Sequence, residues 1–117
     1  MSPADFRQLA LSLPEATEAA HMNHPDFRVG GKIFATLPDP EQWVAVLMLS
    51  PEQQKQLIDE EPEVFAPVKG GWGERGATEV QLEIATRETV AAALTLAWRK
   101  RAPKSLATRV DLSGKIP

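Results

Sequence analysis

No cysteine occurs among the 117 residues, so disulfides and thiolate chemistry, whether redox or metal-ligating, are excluded. No apolar run approaches the roughly 18 residues that a membrane-crossing helix needs. The first residues pass directly into a polar–apolar helical pattern without the charged-then-apolar order of a secretory leader, and a cytoplasmic location is the expectation. Excess positive charge is also missing. Lys and Arg number 13 against 16 Asp and Glu, for a net charge of -3, which argues against a generally basic nucleic-acid binder. There is no glycine-elbow serine, P-loop or dinucleotide fingerprint, and the expectation is a protein without catalytic activity. No internal repeat of module length and no low-complexity segment is present.

What is present fits one soluble domain. The chain is 43% hydrophobic and 25% charged and is long enough to bury a core without staples. Charge is unevenly spread. Residues 1–68 hold 4 Lys/Arg and 11 Asp/Glu, whereas residues 69–117 hold 9 and 5. An anion-facing surface would therefore draw on the second part.

The pair Gly30-Gly31 lies between two short apolar-rich runs. Tight hairpins need positive φ at both central residues, and glycine supplies it without steric cost. Arg28 and Lys32 flank this turn. A first helix is marked by Ser2 as cap, Pro3 at the first helical position, and Phe6, Leu9, Ala10 and Leu13 on one face. Residues 17–22 are ambiguous and suit a first strand, and Pro25 sets the start of the next element near Phe27. Simple alternation puts Lys32 and Phe34 on one face and Ile33, Ala35 and Leu37 on the other. Trp43–Leu49 reads as a central strand.

Ser50-Pro51-Glu52-Gln53 opens a second, mostly exposed helix that stops before Pro62. Gly70–Gly73 and Gly76 suggest a flexible turn. Thr78–Ile84 alternates, with Val80, Leu82 and Ile84 inward. Thr86 caps a last helix whose buried stripe is Val90, Leu94, Ala97 and Trp98, and Arg99–Arg101 complement its dipole. The expected fold is α+β in two layers: an antiparallel sheet covered on one face by three helices, with two glycine-rich hairpins. The domain is expected over residues 1–106, with a loosely ordered tail over 107–117.

Four blocks in fixed order, HPDFRVGGKIFATL, LSPEQQ, PEVFAPVKGGWGERGAT and AWRKRAPKSL, resemble the MmcQ/YjbR family over residues 3–106. The resemblance implies a compact α+β domain of frataxin-like shape with a double wing, and DNA binding through the wings has been suggested for such proteins. The wings would be Phe27–Thr36 and the segment around Gly70–Thr78. The chain departs from the family pattern at Met48, Glu74, Ala77 and Glu79, each change removing positive charge or a stacking ring.

The candidate nucleic-acid contacts are Arg28, Lys32, Lys69 and Arg75, with Trp72 as a stacking group. His21, His24 and Asp26 are read as structural rather than metal-ligating, because i and i+3 on a strand face opposite sides and a metal needs three or four converging ligands. The acidic cluster Asp59-Glu60-Glu61-Glu63 reads as a solvated patch. Trp43 and Trp98 read as core. No cofactor is expected. The functional expectation is a small non-enzymatic binding module, with DNA as a weakly held partner. The alternative is a module for a protein or small ligand, with Trp72 at the lip of a groove.

Overall fold

The computed structural model describes residues 1–21 and 24–107. The expected loose tail, Ala107 excepted, lies outside the described residues. Helix α1 (Pro3–Leu11) begins with a reciprocal cap: the Asp5 N–H donates to Ser2 Oγ at 3.1 Å and the Ser2 N–H donates to Asp5 Oδ2 at 2.9 Å. The hydrogen bond from the Ser2 N–H, and then one from the Ser2 side chain, hold the Asp5 carboxyl below its ordinary pKa. Their contribution is therefore complete above the ordinary carboxylate value and is lost as pH falls through the lowered one. Strands β1 (Thr17–His21), β2 (His24–Val29), β3 (Lys32–Asp39) and β4 (Val44–Met48) follow, then α2 (Pro51–Glu60), β5 (Phe65–Pro67), α3 (Gly71–Glu74), β6 (Ala77–Gln81), α4 (Arg87–Arg101) and α5 (Lys104–Ala107). The capping box at Ser50 and the cap at Thr86 both form as their sequences require.

The six strands make one antiparallel sheet in the order β1-β2-β3-β4-β6-β5. Helices α1 and α4 pack on one face, and α2 lies against β5 and β6 at the sheet margin. Strands β2 to β6 contribute buried side chains to the covered face, where Phe27, Ala45, Leu47, Phe65 and Val80 meet Phe6, Leu94 and Trp98 in one core. Phe6 and Phe27 join helix to sheet edge-to-face, with ring centroids 6.0 Å apart. The Trp98 indole N–H donates to the Pro14 carbonyl at 3.1 Å, which satisfies the one polar atom of the largest buried side chain. Arg7 and Glu18 form an ion pair between α1 and β1.

Four details differ from the sequence reading. The register changes from Phe27↔Ala35 to Arg28↔Ile33, so Phe34 is an extra residue in β3. This bulge lets Phe34 and Ala35 both reach the core, and simple alternation fails there. Pro25 does not delay β2, which starts at His24. Pairing of β2 with β3 begins only at Asp26, so the missing proline N–H lies outside that ladder. Trp43 precedes β4 with φ of 55° and is 39% exposed, so it is not core. β6 ends at Gln81; Leu82 still turns inward, but Ile84 is 56% exposed.

The two glycine segments take different forms. Gly30 and Gly31, at φ of 58° and 78°, make the expected two-residue turn between β2 and β3. The second segment also joins consecutive antiparallel strands, β5 and β6, but through a longer connection than a two-residue turn. Gly71–Glu74 forms one helical turn, entered through Gly70 at φ of 84°. Two close backbone approaches hold it. A Cβ on Gly73 would sit 1.7 Å from the Val68 carbonyl oxygen, and one on Gly76 would sit 1.9 Å from that of Leu49. Glycine is therefore required for contact at Gly76 and for backbone angle at Gly31, where a Cβ would meet nothing.

These two requirements separate experimentally. Gly31→Ala is expected to lower stability by about 1–2 kcal/mol, the cost of a left-handed backbone, and Gly31→Asn by less. Gly76→Ala is expected to lose considerably more, because the Leu49 backbone must move. Urea unfolding of the three variants checks this ordering.

Candidate functional site

The pairing registers place both glycine segments at the same end of the sheet. Arg28 pairs with Ile33 beside the first turn, and Met48 at the end of β4 pairs with Ala77 at the start of β6. The C-terminus of α4 reaches the same end, where a Cβ on Gly30 would lie 3.1 Å from the Pro103 ring. Three elements that are remote in sequence thus converge: the β2–β3 turn, the α3 turn and the last turn of α4.

A cavity of about 330 Å³ opens among them, lined by Met48, Leu49, Trp72, Arg75, Ala77, Lys100 and Arg101. Three of these side chains are cationic and one is an exposed tryptophan. Lys100 Nζ donates to the Leu49 carbonyl at 3.3 Å. Burial, and then the neighbouring Arg101 charge, lower the Lys100 pKa. Arg101 Nε is buried and has no hydrogen-bond partner among the described residues. Such a set favours an anion: it would relieve repulsion between the cations and satisfy the free donor.

Trp72 is 62% exposed, yet its backbone is fixed. The Arg75 N–H donates to the Gly71 and Trp72 carbonyls, each at 3.1 Å, and Gln54 Nε2 from α2 donates to the Gly73 and Ala77 carbonyls, each at 3.0 Å. An aromatic ring displayed on a held turn loses little backbone freedom on binding.

On the uncovered sheet face lies a second cavity of about 290 Å³, lined by His24, Ile33, Thr36, Pro38, Met48 and Trp72. It is mainly apolar, and Met48 and Trp72 belong to both cavities.

The residues singled out in the sequence separate accordingly. Trp72 and Arg75 come together. Lys69 is exposed on the same β5–β6 connection, and Lys32 is exposed at the first turn. Arg28 does not join them as a free cation. Its Nε and a terminal nitrogen donate to the two carboxylate oxygens of Asp26 at 2.8 and 3.1 Å, and Asp26 is fully buried. That forked pair, by hydrogen bonding first and charge second, raises the Arg28 pKa. Lys100 and Arg101 were read only as dipole partners of α4. Their three-residue cationic run was visible, but nothing local in sequence placed it against Trp72.

His21 and His24 are register partners across the β1–β2 pair and belong to different strands. No group of three metal-ligating side chains exists among the described residues. No helix among them is long and apolar enough to cross a membrane. In the acidic cluster, Asp59 pairs with Lys55 at 2.6 Å on the exposed face of α2.

The family model described as YjbR matches residues 11–100. No curated protein and no solved structure matches the chain.

Two measurements follow from these electrostatics. Asp26→Ala, which leaves Arg28 without its buried partner, is expected to cost about 1–3 kcal/mol in urea unfolding. Lys100 should titrate below the ordinary lysine value by NMR, and Arg101→Gln should raise its pKa only in part, because burial is the larger cause. Since the unfolded chain holds that proton more tightly, Lys100 makes stability rise with pH between its lowered value and the ordinary 10.5.

Proposed function

The chain belongs to the YjbR family, and from that premise we propose that it is a small non-enzymatic binding module that holds DNA weakly through the cationic end of its sheet. The supporting observation is the convergence of Arg75, Lys100 and Arg101 around Trp72. Lys32 opens β3 beside the first turn, and Lys69 stands on the β5–β6 connection. Lys and Arg contact phosphates without reading sequence, and an exposed indole offers a stacking surface for an unpaired base. The contact is thereby displaced from the Arg28 side of the first hairpin, where Asp26 already matches the charge, to the α3 turn and the end of α4.

With so few cations, affinity would be low and strongly salt-dependent. The net charge of -3 acts in the same direction by repelling DNA from the rest of the surface. A second reading, a small-ligand module, is favoured by the apolar cavity that adjoins the cations.

Fluorescence anisotropy with duplex and single-stranded oligonucleotides across a salt series tests the DNA reading. Binding is expected at about 50 mM salt, with a log–log salt slope of about -3 to -5. Arg75→Glu combined with Arg101→Glu should abolish it, while Arg28→Gln should leave it within about twofold. Absence of binding at low salt, or equal binding by the double variant, would overturn the reading.

A further inference from the structure

The cationic and apolar cavities adjoin, with Met48 and Trp72 lining both. We propose that they form one site for a small aromatic anion, a planar apolar ring system carrying a phosphate or carboxylate. The ring lies on the uncovered sheet face between Trp72, Met48 and Ile33, and the oxyanion sits among Arg75, Lys100 and Arg101.

Several observations converge on this ligand class. The volumes, about 330 and 290 Å³, place the combined site among those that enclose small organic molecules. The sheet-face part is apolar with two polar points, His24 and Thr36, the usual composition of such a pocket. Met48 offers a sulfur for contact with a ring edge, and Trp72 offers a face for stacking. Among the described residues, no Asp or Glu lines either cavity, so the cationic part has no internal counter-charge. The unpartnered Arg101 Nε supplies a donor that is already desolvated. A duplex backbone could reach the cations but not insert a ring beneath Trp72. The site therefore does not depend on DNA binding.

Calorimetry on the full chain with 1-naphthyl phosphate and 1-naphthoate as probes, and inorganic phosphate and 1-naphthalenemethanol as half-ligands, tests this. At least one of the two anions is expected to bind with at least tenfold higher affinity than either half-ligand, and to shift the Trp72 indole N–H resonance. Both Trp72→Ala and Arg75→Gln change exposed side chains, and each should weaken binding at least tenfold, with Trp72→Phe restoring most of it. The proposal is overturned if neither anion binds at millimolar concentration, if inorganic phosphate binds equally well, or if Trp72→Ala binds unchanged. Loss of DNA binding with retention of the naphthyl anion would remove the DNA reading alone. The reverse result would remove this inference alone.

Discussion

The carbonyl of Leu49, at the end of the central strand β4, is the point on which the functional end of the molecule depends. Gly76 packs so closely against it that no side chain fits, and Lys100 donates to it from α4. One backbone oxygen thus fixes how far the α3 turn stands from β4 and where the last turn of α4 comes to rest. Gln54 completes the arrangement from α2, bonding carbonyls on both sides of the Gly73–Ala77 segment. Trp72 and Arg75 have no freedom to be elsewhere while these contacts hold. The cavity walls follow from backbone packing rather than from attraction among the side chains that line them.

Charge is divided by the same architecture. Arg28 and Asp26 lie on the uncovered face and neutralise one another as a forked pair, which makes that part of the sheet locally silent. The cations that remain unmatched in the site are brought in by the α3 turn and α4. Lys100 and Arg101 stand where the C-terminus of α4 is itself partially negative, and this offsets some of the repulsion between them. An apolar surface adjoins them because β4 alternates, leaving Val46 and Met48 half-buried opposite the core, and Ile33 of β3 is half-buried as well. The cationic and apolar cavities therefore adjoin, with Met48 and Trp72 common to both.

Much of the fold is legible because its signals are local. Ser2, Ser50 and Thr86 cap helices through bonds to residues three positions on, and Gly30-Gly31 turns the chain within four residues. The failures are equally instructive. Phe34 and Ala35 both face inward because β2 pairs with β3 out of simple register, a relation between two strands that neither contains. Trp43 looks like core by hydrophobicity, but the left-handed backbone just before β4 turns it outward. Gly70–Gly73 looks flexible by composition and instead enters a helical turn through the positive φ of Gly70, with the Val68 carbonyl too close to Gly73 for any other residue there.

The sequence by itself determined the α+β class, the element order, the first turn and most of the buried stripe, since each rests on spacing, capping or positive φ within a short segment. It also determined that Trp72 and Arg75 would lie near one another. Only the tertiary structure decided that Arg28 would be matched by Asp26 and that Lys100 and Arg101 would join Trp72. Those outcomes depend on which strand neighbours which, and on where a helix of 15 residues ends against the sheet. This end of the sheet is made by contacts between segments some 25 to 50 residues apart, such as Gly76 to Leu49 and Lys100 to Leu49. No local pattern encodes such distances.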